Sequence, residues 1–231
     1  MLKIGGLQKM TLLDYPGKIA ATIFLAGCNF RCGFCHNPDL VQQKEDKNYI
    51  TVKEVLDFLI KRRGLLEAVC ISGGEPLLNQ DLPDFFKKIK ALGYLIKLDT
   101  NGSNFAVLND IINNKLVDYI AMDIKCSLDK YPEITRIKFN LNNITESIKL
   151  IRQSGLPHEF RTTILPKYHN NLEIEKICQL IPQAEAYYLQ NFRNKTTFDS
   201  DFNKELVFSE QELLELKAIA DQWVKKCAIR F

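Results

Sequence analysis

Short apolar, β-branched runs alternate along this chain with amphipathic stretches of helical period. The strand candidates are 19–26 (IAATIFLA), 68–72 (AVCIS), 94–99 (YLIKLD), 117–123 (VDYIAMD), 158–165 (HEFRTTIL) and 185–190 (EAYYLQ). Near-continuous apolar runs of this length fit strands buried on both faces of a parallel sheet. The stretches between them carry helix boundaries. Thr51 and Glu54 form a capping box before the stripe Val52, Val55, Leu56, Leu59 and Ile60. Asp81 is expected to cap a helix buried through Leu82, Phe85, Phe86 and Ile89, with Gly93 ending it. Further helices are expected over 104–114, 143–154 and 171–181. Ser209 and Glu212 form a second capping box before a helix of about 209–226 bearing Leu213, Leu216, Ile219 and Trp223.

This alternation predicts an α/β fold of βαβ units with a parallel sheet and outer helices. Each candidate strand ends in a polar or glycine-rich cluster: a cysteine loop, SGGEP, DTNG, DIK, RTT and QNF. Barrels gather their chemistry at the C-terminal ends of the strands, whereas a flat doubly wound sheet concentrates it at one switch point. Six clusters on six strand ends favour a partial (βα)6 TIM-type barrel. A single domain over 1–231 is expected, with its core at about 15–192.

Composition removes several classes. Hydrophobic residues make up 46% of the 231, which excludes a disordered chain. The net charge of +3 sets up no field for nucleic acid or an anionic membrane, and neither is expected as a partner. No apolar run reaches the ~18 residues that a membrane span needs, and the first residues lack the apolar core of a signal peptide. A cytoplasmic, reducing location follows, with the seven cysteines as thiols or metal ligands.

Cys28, Cys32 and Cys35 fall within eight residues directly after the first strand candidate. Soft thiolates suit iron–sulfur clusters, zinc or copper(I), and three of them so close can converge on one cluster. A closed zinc site needs a fourth protein ligand, which adjacent His36 could supply. Zinc motifs more often pair two separated ligand couples. Cys70 reads as a small core residue and Cys126 as buried.

The three cysteines, with Phe34 just before the third, resemble the signature of the radical S-adenosylmethionine (SAM) superfamily. The resemblance implies a [4Fe-4S] cluster held by Cys28, Cys32 and Cys35, with S-adenosyl-L-methionine chelating the iron left without a protein ligand. It further implies reductive cleavage of that cofactor and a 5′-deoxyadenosyl radical that abstracts hydrogen. Ser72, Gly73, Gly74 and Glu75 resemble the superfamily's GGEP motif, where exposed backbone carbonyls accept from the cofactor's ammonium group. Phe34 is implied near the adenine. Asp99, Thr100 and Asn101 on the third strand and Asp123 and Lys125 on the fourth match cofactor-contacting positions, and Arg161 on the fifth is a weaker candidate for the same set. His169 and Gln190 are weaker candidates.

Cys35-His36-Asn37-Pro38, Leu12-Leu13-Asp14-Tyr15-Pro16-Gly17-Lys18 and DTNG resemble the activating enzymes of glycyl-radical proteins. Among these, the resemblance is greatest to the activating proteins of anaerobic ribonucleoside-triphosphate reductases. It implies a glycyl-radical partner and a flavodoxin- or ferredoxin-like electron donor. A pyruvate formate-lyase activase, a deazaguanine-ring synthase and a non-enzymatic Fe–S or zinc interaction module stand as alternatives. Residues past about 193 match no motif.

Overall fold

The computed structural model describes residues 2–43 and 48–230. All six expected strands form, and two more join them. The chain divides into two compact units, one of Met1–Asn29, Asp39–Thr100 and Ala106–Ile120, the other of Phe30–Pro38, Asn101–Phe105 and Ala121–Phe231.

The first unit contains β1 (Ile4–Thr11), β2 (Ala20–Leu25), α1 (Pro38–Gln42), α2 (Val52–Lys61), β3 (Ala68–Gly73), α3 (Leu82–Ala91), β4 (Leu95–Thr100) and α4 (Phe105–Asn113), where α1 and α4 lack only their first residues. Its strands lie in the order β1-β2-β3-β4. Strands β2, β3 and β4 are mutually parallel, as their apolar runs predict. Ile23, Leu25, Val69, Ile71, Ile96 and Leu98 are all buried. Cys70 packs as a core residue with Tyr15, Ala20 and Ala68. The Thr51–Glu54 capping box forms, and α2 buries Val55 and Leu59. Asp81 stands at the N-cap of α3, but its side chain makes no cap bond: its backbone (φ −80°, ψ 0°) lacks the extended geometry a capping side chain requires. Gly93 ends α3 with φ +88°, a conformation that favours glycine.

β1 was not legible in the sequence. It pairs antiparallel with β2, has one neighbour, and leaves Gln8, Lys9 and Met10 exposed. Its glycine pair and polar residues read as loop, because an edge strand buries too little to need an apolar run.

β5 (Tyr119–Asp123) passes from the first unit into the second. The second unit continues with α5 (Tyr131–Thr135), α6 (Asn142–Gln153), β6 (His158–Ile164), α7 (Asn171–Leu180), β7 (Tyr187–Asn191), α8 (Glu210–Ala220) and β8 (Cys227–Arg230). Strands β6, β7 and β8 are parallel neighbours in that order. Phe160, Ile164, Tyr187 and Leu189 are buried. The Ser209–Glu212 capping box forms as expected, but α8 ends at Ala220, not near 226. The chain reverses there so that Cys227–Arg230 can lie beside β7, and Trp223 falls outside the helix. Among the described residues, no helix is long and apolar enough to cross a membrane.

Candidate active site

In the first unit the expected site residues gather where β2, β3 and β4 end. Gly74 N donates to Leu25 O at 2.9 Å and Glu75 N to Gly27 O at 2.7 Å, so the SGGEP turn is tied to the backbone just before Cys28. A Cβ on Gly74 would lie 2.0 Å from Gly27 O, and one on Gly73, where φ is +123°, would lie 2.2 Å from Leu25 O. Only glycine admits that approach. Ser72 lies opposite Phe24, one residue before Gly73 closes the register of β3 opposite Leu25. Glu75 is fully buried. Its carboxylate accepts from Leu77 N at 3.1 Å, capping the short 3₁₀ turn Pro76–Leu78, and from the Thr100 hydroxyl at 2.7 Å. The glutamate of this motif therefore ties the end of β4 to the turn after β3. On β4, Lys97 is only 2% exposed, pairs with Asp99 at 2.6 Å and lies over the Tyr119 ring. That buried ammonium was missed, because a lone lysine inside an apolar run reads as a solvent-facing position.

In the N-terminal stretch, Asp14 accepts from the Thr22 hydroxyl, Tyr15 is buried against Tyr119, and Lys18 pairs with Glu67 at 2.8 Å. Burial, aided by Asp118 and Cys70, pushes the Tyr15 hydroxyl up to about 12.

In the second unit Cys32 and Cys35 close a tight turn, with Cys35 N donating to Cys32 O at 3.1 Å. Cys32 is buried and Cys35 half-buried, and none of the seven cysteines is in a disulfide. Burial raises the Cys32 thiol to about 11, against the opposing pull of the Lys125 ammonium. A bound metal displaces that proton.

Lys125 pairs with Asp123 at 3.1 Å, and Asp123 accepts from Arg161 Nε at 2.7 Å. Burial alone would neutralise these groups. For Asp123 it is outweighed by Arg161 and Lys125, which hold the carboxyl well below its ordinary range; for Lys125 it is outweighed by Asp123 and Cys32, which hold the amine above its own. Three expected residues thus form one charged cluster whose ammonium acts on the Cys32 thiol. Arg161 also approaches buried Glu159 at 3.8 Å, and Glu159 receives two 2.9 Å bonds from Arg230 on β8. The signal for Glu159 was present: residues two apart on a strand share a face, so Glu159 and Arg161 point the same way.

Other expected residues of the second unit are held by contacts with their neighbours. Asn101 turns back on Ser103, accepting from its N at 2.9 Å and its hydroxyl at 2.6 Å. The Phe34 ring is buried among Tyr168, Phe192 and Phe202, with centroids 6.2–6.5 Å away. His169 is buried and kept neutral by that burial, and its Nε2 meets Lys125 O at 3.0 Å. His36 stacks on Phe192, and its Nε2 meets the Arg193 carbonyl at 2.8 Å. Among the described residues, no three His, Cys, Asp or Glu side chains close around one point as a single ion requires. The donor chemistry suits an iron–sulfur cluster: soft thiols without disulfides, with the Lys125 ammonium acting on Cys32. A cleft of about 470 Å³ is lined by His36, Thr163, Gln190, Arg193, Lys195 and Arg230 among others, with no carboxylate.

A family model for the radical SAM superfamily matches residues 22–181. A Methanocaldococcus jannaschii protein named for glycyl-radical enzyme activation is 36% identical over 98% of this chain and 95% of its own length. The pyruvate formate-lyase-activating enzyme of Clostridium pasteurianum is 30% identical over 78% of this chain and 76% of its own. The solved structure of Streptococcus suis SuiB bound to S-adenosylmethionine aligns with a TM-score of 0.66 and 16% identity, covering 88% of this chain and 48% of that one. At that identity the likeness is one of fold, and it bears out the α/β class with parallel strands. The chain belongs to the radical SAM superfamily, among its glycyl-radical-enzyme activating enzymes. Its cofactors are those of the superfamily, a [4Fe-4S] cluster and S-adenosyl-L-methionine.

Proposed function

We propose that this enzyme generates a glycyl radical on an anaerobic ribonucleoside-triphosphate reductase, with Cys28, Cys32 and Cys35 as the cluster ligands. The observation that carries the reading is the charged cluster of Asp123, Lys125 and Arg161 beside Cys32. When bound, the reduced cluster and S-adenosyl-L-methionine supply a carbon-centred radical able to take a hydrogen atom. The chain's own residues bind and orient. The Lys125 charge opposes the burial that raises the Cys32 thiol, and it is suited to the cofactor carboxylate. Ser72, Gly73 and Gly74 offer backbone acceptors to the cofactor ammonium. Glu75 holds that turn against Thr100, while Asp99, Asn101, Asp123, Arg161 and Phe34 complete the set carried over from the family motif. The cationic cleft around Arg193, Lys195 and Arg230 suits an acidic flavodoxin- or ferredoxin-like reductant. A cytoplasmic location belongs to the same reading, since the ligand thiols must stay reduced.

A second reading, a pyruvate formate-lyase as partner, is favoured by the 30% identity to the Clostridium enzyme. Paramagnetic resonance after anaerobic mixing with each candidate partner separates the two. A glycyl doublet on the reductase supports the first reading, and one on the lyase alone supports the second. The reduced protein is expected to release 5′-deoxyadenosine, and Cys32→Ala to abolish it. A wild-type protein that loads its cluster yet forms no 5′-deoxyadenosine overturns both.

A further inference from the structure

Residues after 193 carry no recognisable motif, yet they lie on the cysteine segment of the same unit. Phe198 N donates to Cys35 O at 2.9 Å and Asp199 N to Gly33 O at 3.0 Å, so the carbonyls of Gly33 and Cys35 are held by one strap. The Phe202 ring lies against Gly33. A Cβ there would meet Phe202 Cε2 at 2.4 Å and Arg136 Nη2 at 2.8 Å. Glycine between Cys32 and Phe34 is thus what lets the ring approach. On its other contacts the ring meets Phe34 at 6.2 Å and Tyr168 at 6.0 Å, with the Lys167 ammonium 4.8 Å from its centroid.

Phe202 is itself fixed. It sits 2% exposed in the 3₁₀ turn Ser200–Lys204, where the Asp199 carboxylate accepts from Asp201 N. Asp199 also pairs with Arg136 at 2.7 Å, and Lys167 pairs with Glu205 just beyond the turn. At the other end of the cysteine segment, Arg31 N donates to Thr135 O at 2.8 Å, next to Arg136. The segment is therefore pinned before Cys32, over Gly33 and after Cys35.

We propose that Phe202, carried by the 198–204 strap, is a positioning residue that sets the Cys32 and Cys35 thiols in place before any cluster is present. The inference rests on the reading of these cysteines as cluster ligands, and it assigns a role to the part of the chain that the motifs leave blank. Buttresses behind metal ligands typically change metal affinity by about 10–100-fold when removed.

The test uses the full chain and needs no turnover. In the metal-free reduced protein, the rate at which a disulfide reagent labels Cys35 reports whether the segment is held. In the loaded protein, the rate of iron release to a chelator reports the same. Phe202→Ala is expected to raise both by about tenfold or more, with far-UV dichroism unchanged, while Phe202→Leu restores most of the loss by refilling the slot. Gly33→Ala is expected to act chiefly through the Phe202 ring, so its effect should fall in the Phe202→Ala background to what the Arg136 contact alone imposes. Labelling and iron release unchanged in a folded Phe202→Ala protein overturn the proposal, as does a Gly33→Ala effect of equal size in both backgrounds. Should Phe202→Ala not fold, Phe202→Leu against Gly33→Ala supplies the same comparison. A wild-type protein that takes up no cluster defeats the reading of the cysteines, while the labelling arm still decides the strap.

Discussion

Gly74→Ala tests how the first unit holds the backbone that leads to Cys28. The new Cβ would lie 2.0 Å from Gly27 O and 2.5 Å from Gly27 C. Both are backbone atoms, so no side-chain rotation relieves the overlap. Reaching even 3.0 Å requires the two segments to part by about 1 Å. The movement strains two bonds at once, Glu75 N to Gly27 O at 2.7 Å and Gly74 N to Leu25 O at 2.9 Å. A buried donor left without its acceptor costs about 1–3 kcal/mol, so a loss of about 2–4 kcal/mol is expected. For a chain of this size, that lowers the melting temperature by about 5–15 °C. Gly64→Ala is the control: nothing lies within 4 Å of its Cβ, and only its φ of +77° penalises alanine, at about 1 kcal/mol. Thermal melts of the metal-free proteins measure stability, and iron content after anaerobic reconstitution measures the displacement next to Cys28. Gly74→Ala should lose both, and Gly64→Ala should keep its iron. A Gly74→Ala protein that melts no lower than Gly64→Ala and reconstitutes fully would falsify the reasoning, because the close backbone approach would then be dispensable.

Two further outcomes follow from buried charges in the second unit. Glu159→Gln removes the charge facing Arg230 and Arg161 at a site that is 1% exposed, at an expected cost of about 2–4 kcal/mol. A lower urea midpoint at unchanged m-value checks it, and a change under about 0.5 kcal/mol counts against a buried ion pair. Glu173 has its carboxyl lowered because the Ser127 N–H and Lys130 outweigh the opposing effect of burial. A depressed folded-state value contributes stability above the unfolded value of about 4.3, which is lost as pH falls through the lower folded value. Melts from pH 6 to 3 should show that acid-side loss in the wild type and a flatter profile in Glu173→Gln; parallel profiles would remove Glu173 from the acid response.

Local rules made much of the architecture legible. Strands buried on both faces must be apolar throughout, so their six runs stood out, and both capping boxes formed where Thr51–Glu54 and Ser209–Glu212 mark them. The misreadings have physical causes. β1 is an edge strand and β8 a four-residue one, and neither buries enough to leave a periodic signature. Asp81 is the right residue type at an N-cap but sits in backbone of the wrong conformation.

The sequence by itself determined the class, the cysteine trio and the glycine turn, because these depend on residue type at short spacing just after a strand. What only the tertiary structure decided was the company each group keeps. Lys97 neutralises Asp99, Glu75 holds Thr100 rather than facing solvent, and the Phe34 ring is enclosed by three aromatics. Phe202 reaches Gly33 from 169 residues further along the chain. Contacts between residues so distant in sequence are fixed by how whole elements pack, and no local pattern records them.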